Sequence, residues 1–170
     1  MEDSRYAHSS IRILRGRFER LVDTGLRLNE LRGERELHQF LIAAATELSG
    51  AQRVLLVLDT DHDLRIAGSM MPGGEESADL LNAVEGWLVE TRRTQSASLR
   101  HGPDGAAAID QRSCVVAPLI TGDKLLGHLY ADVEGPSGRF DASDCGLLAM
   151  LAEQGPIDFG ASIGLDNSPR

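Results

Sequence analysis

The chain has 170 residues, of which 42% are hydrophobic and 25% charged, which suits one soluble domain with a helical extension. Its net charge of −9 repels phosphate backbones and anionic lipid, so nucleic acid and membrane surfaces are disfavoured as partners. The two cysteines, Cys114 and Cys145, lack metal-ligand spacing, and neither an apolar signal core nor a run of about 18 apolar residues occurs. We therefore expect a cytoplasmic protein without a disulfide framework or a membrane span.

Residues 1–33 are predicted to form a long helix. Its apolar positions alternate at spacings of three and four, with charged residues between them: Ile11, Leu14, Phe18, Leu21, Gly25 and Leu28. This pattern is typical of an a/d seam that joins two helices, and we expect it to form a homodimer. The alternative is an amphipathic helix that packs on the sheet of its own domain.

The next segment predicts a second helix followed by two strands. A wide apolar face begins at about Glu34, and Ser49-Gly50 supplies a stop. The hydrophobic period then changes, since residues 53–58 form a short run rich in Leu and Val that is typical of a buried strand. Residues 64–70 are predicted to return as its antiparallel partner.

The turn between these strands contains three alternating acidic residues, Asp59, Asp61 and Asp63. Calcium loops open in this way, but they also need a glycine at the sixth position and a bidentate glutamate at the twelfth. Leu64 and Met70 stand at those positions. We therefore interpret the segment as a solvated turn and expect no metal site.

The second half of the chain predicts a third helix and the rest of the sheet. The helix covers residues 77–91, and residues 96–99 form a weak strand. Residues 113–120 and 124–133 form the strongest hairpin of the chain. The loop of residues 101–110 has small side chains that suit a mobile lid over a pocket.

Local signals and connectivity then predict the architecture. Pro118 cannot donate to a strand ladder and should lie at an edge or a bulge, while Asp141 can cap a closing helix. Simple alternation places His128 between Leu126 and Tyr130 on one strand face. Hairpin connections predict an α+β fold, an antiparallel sheet of five to six strands flanked by helices, with the helix of residues 77–91 apart from the others.

Four motifs in this order resemble the GAF domain family. Residues 48–54 look like its passage from the first core helix into the first strand, and residues 112–119 look like its S-x-x-x-x-P-L strand. Residues 122–130 are similar to its glycine-containing hairpin return, and residues 140–144 match its F-x-x-x-D entry to the closing helix. The resemblance spans about residues 31–154.

This resemblance implies a non-catalytic sensory domain with a small-molecule pocket, a helical dimer interface and an output domain such as a histidine kinase, nucleotide cyclase or transcription regulator. We divide the chain into a dimerising helix (1–33), the sensory domain (34–154) and a tail or linker (155–170). Because no room remains for an output domain, we expect the chain to be the N-terminal piece of a longer protein. Cys145 replaces the glutamate of the cyclic-nucleotide-binding pattern, and the sequence identifies neither ligand nor cofactor.

Two other functions remain open. One is a dimerisation and signal-relay domain whose pocket is filled and binds no ligand. The other is reduction of free methionine sulfoxide, which one branch of the family performs with cysteines. Cys114 lies in an apolar strand, where burial raises a thiol pKa, whereas Cys145 is expected near a helix N-terminus, which lowers it. Buried structural thiols are the favoured interpretation, and motifs for nucleophilic hydrolysis or nucleotide binding do not occur.

Five side chains are the candidate ligand-binding residues: Trp87, Arg112, Ser113, His128 and Tyr130. Trp87 and Tyr130 combine an apolar body with a polar tip, which suits a pocket wall. Ser113, His128 and Tyr130 fall on adjacent strands and are expected to reach inward, and Arg112 or Arg100 can hold an anion at the mouth. The alternatives are core packing for Trp87 and Tyr130, a hydrogen-bonded sheet histidine, and solvated arginines.

Overall fold

The computed structural model describes residues 34–61, 63–102 and 112–153. In these ranges the helices are α1 (Glu34–Ser49), α2 (Ser77–Thr94) and α3 (142–153). The strands are β1 (Arg53–Thr60), β2 (Asp63–Met70), β3 (Ser98–Gly102), β4 (Arg112–Thr121) and β5 (Lys124–Val133). The predicted dimerising helix, most of the predicted lid and the tail lie outside the described residues.

The five strands form one sheet in the order β2-β1-β5-β4-β3. Every neighbouring pair is antiparallel, including the two sequence-adjacent pairs β1–β2 and β4–β5. The α+β architecture predicted from the hairpin pattern is therefore confirmed. β1, β5 and β4 are the three inner strands, so side chains at their shared end are brought close together.

Different helices cover the two faces of the sheet. Helices α1 and α3 pack on one face around a core whose fully buried leucines include Leu41, Leu129, Leu148 and Leu151. Helix α2 covers the opposite face, which we call the α2 face, where Leu55, Leu88 and Tyr130 are buried. Full burial of one such side chain contributes about 1.5–3 kcal/mol, so both clusters hold their helices firmly. As predicted, α2 lies apart from the other two helices.

Two glycines of the family-like motif have specific backbone roles in the β4–β5 hairpin. Gly122 occupies the turn with φ of 61°, a conformation that residues with a Cβ rarely adopt. At Gly127 a Cβ atom would collide with the carbonyl oxygen of Val57 on β1. The close approach of β1 and β5 therefore requires glycine at position 127.

The same hairpin contains a bulge that changes which side chains share a face. The β4–β5 register shifts between Leu119, which pairs with Gly127, and Ile120, which pairs with Leu125. Leu126 consequently packs against the core beneath α1 and α3. The predicted placement of Leu126 beside His128 is wrong, because the extra residue resets the two-residue alternation.

Pro118 lies in a part of β4 that pairs with β5 on one side but not with β3 on the other. It pairs with His128 on β5, whereas the pairing of β3 along β4 ends at Val116. Within the described ranges, the side of β4 that faces β3 is therefore unpaired at Pro118, which fits the predicted edge position.

Helix α3 begins with a reciprocal pair of side-chain caps. The backbone N–H of Asp144 donates to Asp141 Oδ1 at 3.0 Å, and the N–H of Asp141 donates to Asp144 Oδ2 at 2.9 Å. This arrangement satisfies two backbone donors at the helix start and confirms the predicted cap.

Candidate functional site

A cavity of about 510 Å³ lies between α2 and the sheet, and we call it the α2 cavity. Its volume is typical of small-molecule sites, about 300–1,000 Å³. The apolar part of its lining comes mainly from α2 and includes Met71, Leu80, Ala83, Val84 and Trp87. The strands contribute Arg53, Arg112, Cys114 and Tyr130. The exposed acids are Glu75 and Glu76, from the segment leading into α2, and Asp79, from the first turn of that helix.

A buried carboxylate organises the polar end of this cavity. Asp132 has no exposed surface and accepts hydrogen bonds from Arg53, at 3.0 Å from Nε and 2.7 Å from Nη2. Arg112 Nη1 donates to it at 2.8 Å, and the Tyr130 hydroxyl donates at 2.6 Å. These charge-assisted bonds offset the cost of burying the carboxylate and fix both guanidinium groups.

Each arginine also contacts a glutamate that is open to solvent. Arg53 Nη1 donates to Glu75 at 3.1 Å, and Arg112 Nη2 donates to Glu134 at 2.6 Å. The side chains of Glu75 and Glu134 are 42% and 55% exposed, whereas that of Asp132 is fully buried. The result is a row of alternating charges in which the inner carboxylate is fixed and the outer ones are accessible.

Arg53 and Tyr130 both stay protonated beside Asp132. Burial on its own lowers the pKa of Arg53, but the hydrogen bond and charge of Asp132 outweigh it and raise that pKa. Burial, together with Cys114 and Asp132, raises the pKa of Tyr130 far above its usual range. The phenol therefore remains a donor, with its oxygen 3.3 Å from Cys114 Sγ.

The two cysteines do not form a reactive pair. Cys114 packs in the core of the α2 face, whereas Cys145 packs against the core beneath α1 and α3, so the sheet separates them. Burial raises the pKa of the Cys114 thiol, as predicted. For Cys145 the predicted lowering is wrong, because burial and the charge of Asp144 raise its pKa.

The structure brings together only part of the predicted ligand site. Trp87, Arg112 and Tyr130 line the α2 cavity. Arg100 lies outside the lining but places its Cζ 5.7 Å from the centre of the Trp87 ring, a cation–π contact. It also pairs with Glu90 on α2, so Arg100 supports the cavity wall.

Ser113 and His128 do not line the cavity, which corrects the prediction that both reach inward. Ser113 neighbours Cys114 and therefore points to the opposite face of the sheet, where its hydroxyl lies 3.0 Å from Nδ1 of His101. His128 lies on the α2 face two residues before Tyr130 on β5, but it is not part of the cavity lining. Alternation within β4 implies that Arg112 and Ser113 face opposite sides of the sheet, but which of them faces the cavity depends on the strand register.

His128 belongs to a separate buried cluster beneath the C-terminal end of α2. Its Nε2 lies 3.1 Å from Asp59 Oδ2, which also accepts from Arg92 Nε at 2.7 Å. Burial lowers the pKa of His128 more than Asp59 raises it. For Asp59, burial opposes ionisation, but the hydrogen bonds from Arg92 and His128 prevail and lower its pKa.

Sequence reasoning missed Arg53 and Asp132. The available signal was an acidic residue inside the otherwise apolar end of β5, which a soluble sheet does not bury without a partner. In the ranges 34–61, 63–102 and 112–153, no group of three His, Cys, Asp or Glu residues could hold a metal ion. None of the helices in those ranges is long and apolar enough to cross a membrane.

The chain belongs to the GAF domain family, which matches residues 35–155. Among solved structures it resembles the GAF domain/HD domain protein from Geobacter sulfurreducens, at 12% identity over 80% of this chain and 97% of that chain, with a TM-score of 0.63. It also resembles the GAF-B domain of DevS from Mycobacterium smegmatis, at 18% identity over 77% and 96%, with a TM-score of 0.58. No curated protein matches in sequence.

A third similar structure is an enzyme, the free methionine-R-sulfoxide reductase from Neisseria meningitidis in complex with its substrate. It shares 20% identity over 88% of this chain and 91% of that chain, with a TM-score of 0.62. These likenesses establish the shared fold.

Proposed function

We propose that residues 34–154 form a non-catalytic sensory domain that binds a small polar or anionic metabolite in the α2 cavity. The observation that carries this proposal is the cavity itself. It combines an apolar wall around Trp87 with two arginines that Asp132 holds in place. Prepositioned donors beside an apolar wall are the usual composition of a small-molecule site.

The alternative, a relay domain with a filled pocket, is less well supported. The side chains of the described residues leave a cavity of about 510 Å³ unfilled. A reductase activity has less support still, since Cys114 and Cys145 lie on opposite sides of the sheet and both thiol pKa values are raised. Ligand binding therefore remains the preferred function.

A binding experiment on the natively purified full chain tests this proposal. We expect native mass spectrometry to detect a retained small molecule, and Trp87→Ala to lose it because the apolar wall is removed. Val89→Ala is the matched control, since Val89 is 45% exposed on the same helix and does not line the cavity. If the wild type retains nothing, or Trp87→Ala retains the molecule as well as Val89→Ala does, the relay function replaces this one.

We further propose that residues 1–33 join two copies of the chain and that the dimer passes the signal to a cytoplasmic output domain, such as a histidine kinase, nucleotide cyclase or transcription regulator. The a/d pattern of Leu14 and its neighbours supports the dimer. Helix α1 follows this segment directly and packs on the sheet whose other face carries the cavity. A change at the cavity can therefore reach α1 through the sheet, and α1 continues the chain from the proposed seam.

Analytical ultracentrifugation tests the dimer. Replacing Leu14 and Leu21 with Glu places charges in the apolar seam, and we expect monomers. Replacing Arg12 and Arg20 with Glu places the same new residue at b and c positions, outside the seam and its flanking e and g positions, and should leave the dimer intact. If the protein remains dimeric after Leu14 and Leu21 are replaced, the dimer interface lies in another part of the chain.

A further inference from the structure

We propose that the ligand of the α2 cavity is a small monocarboxylate whose carboxylate takes the place of Glu75 on Arg53, so that Glu75 is a built-in competitor for the site. This inference rests on the proposed function and names the ligand class that the cavity selects. It follows from the way the hydrogen-bond donors of Arg53 are divided between two carboxylates.

Arg53 uses one part of its guanidinium group for the protein interior and another for the cavity side. Nε and Nη2 donate to the buried Asp132, while Nη1 donates to Glu75 at 3.1 Å. Asp132 is held by two arginines and a tyrosine and cannot leave without exposing unpaired charge. Glu75 is half exposed and makes its bond from the segment that leads into α2, so a ligand can displace it at small cost.

The chemistry of the displaced group identifies the ligand. Since Arg53 Nη1 already binds a carboxylate, a ligand carboxylate reproduces that charge-assisted bond without rearranging Asp132. Glu76 and Asp79 line the same cavity and repel a second negative charge. The remainder of the lining is largely apolar and includes Leu80, Val84 and Trp87. These features select a single carboxylate on an apolar body.

Fluorescence of Trp87, the one tryptophan of the chain, reports occupancy of the cavity directly. We would titrate the full chain with phenylacetate and hexanoate, and with phenylacetamide and hexanamide as neutral partners of the same shape. We expect both acids to change the emission and the amides to bind about tenfold more weakly, because the amide oxygen still accepts from Arg53 but the attraction between opposite charges is lost. Equal binding of acids and amides would overturn the inference.

Two glutamate variants test the competitor role of Glu75. Glu75→Gln should tighten binding of both acids about two- to fivefold, the gain expected from removing an exposed ion pair with Arg53. Glu76→Gln is the matched control, because it removes the same charge from the same lining, whereas Arg53 donates to Glu75 and Asp132. An equal gain in affinity in both variants would mean that loss of any negative charge near the cavity tightens binding. That result would contradict displacement of Glu75 by the ligand.

Two further results separate this inference from the proposed function. Arg53→Lys keeps a charge beside Asp132 but loses the forked geometry, so it should weaken the acids more than the amides at an unchanged fold, checked by circular dichroism. If neither acid affects Trp87 while mass spectrometry finds a retained molecule without a carboxylate, the domain binds a ligand and the monocarboxylate inference is wrong.

Discussion

Arg53 and Asp132 are paired across the β1–β5 ladder, and the arginine donates to both oxygens of the buried carboxylate. Arg112 on β4 and Tyr130 on β5 donate to the same group. One carboxylate thus connects the three inner strands at the polar end of the α2 cavity. The positions of both cavity arginines therefore depend on Asp132.

Replacing Asp132 with Asn should lower the free energy of unfolding by about 3–5 kcal/mol, because two partly buried guanidinium groups lose their shared charge partner. Urea unfolding followed by Trp87 fluorescence measures the change. Glu134→Gln is the control, since its side chain is 55% exposed and the loss should stay below about 1 kcal/mol. Similar losses of unfolding free energy in both variants would show that the buried ion pairs of Asp132 stabilise the domain no more than the exposed pair of Glu134 does.

Replacing Gly127 with Ala should destabilise the domain by about 1–3 kcal/mol or more, because the new Cβ meets the backbone oxygen of Val57, which no side-chain rotation can relieve. Gly86→Ala on α2 is the matched control. No atom lies within 4 Å of the Cβ position there, so the better helix propensity of alanine should stabilise by about 0.5–1 kcal/mol. Thermal unfolding distinguishes the two, and a neutral Gly127→Ala would argue against the close approach of β1 and β5.

Stability should decline as the pH falls below about 6.5, the ordinary pKa of histidine. Burial lowers the pKa of His128 in the folded state, so in this range the unfolded chain binds a proton that the folded domain does not. A second decline should begin near pH 4. There the unfolded chain protonates the aspartate at position 59 before the folded domain does, because the pKa of Asp59 is lowered.

The variant His128→Gln tests the first decline. Unfolding free energies measured from pH 7.5 down to pH 5 should fall less steeply in this variant than in the wild type. His101→Gln is the comparison variant and should change the slope less, because His101 is only half buried. Burial and the charge of Arg139 lower the pKa of His101 as well, so both variants remove a histidine of the same kind. An unchanged slope in His128→Gln would mean that His128 is not the titrating group.

The thiols should react separately. A native-state assay with a thiol reagent should detect Cys145, which is partly exposed, and should detect the buried Cys114 only after unfolding. Cys145→Ser should remove the native signal. Mild oxidation should produce no intramolecular disulfide, because the sheet lies between the two sulfur atoms. A mass loss of about two hydrogens in the monomer would contradict this arrangement and revive the reductase function.

Local sequence patterns predicted the elements of this domain well, because their causes are local. The period of 3.6 residues marked α1 and α2, and the runs of Val and Leu marked β1 and β4. The Asp141 cap required only a helix start within three residues of it. The sequence pattern assigned Leu126 to the wrong face of the sheet because of the bulge in the β4–β5 pair. A bulge depends on the pairing of two strands, which the pattern of one strand does not reveal.

The lining of the α2 cavity could be predicted only in part, for a similar reason. Trp87 and Tyr130 were recognisable from their size and amphipathic character, and Arg112 from its place beside the predicted lid loop. Arg53 is as ordinary in sequence as any surface arginine. Its importance follows from Asp132, which lies far away along the chain and opposite it in the sheet.

The elements, the α+β class and the likeness to the GAF family follow from local patterns, because periodicity, turn chemistry and motif order are properties of neighbouring residues. Which residues share a face and which charges meet depends on how the strands pair. That pairing placed Ser113 and Tyr130 on opposite faces of the sheet, and it brought Arg53, Arg112 and Asp132 together from separate strands. Strand register sets those encounters, and register is a relation between distant segments that no local pattern encodes.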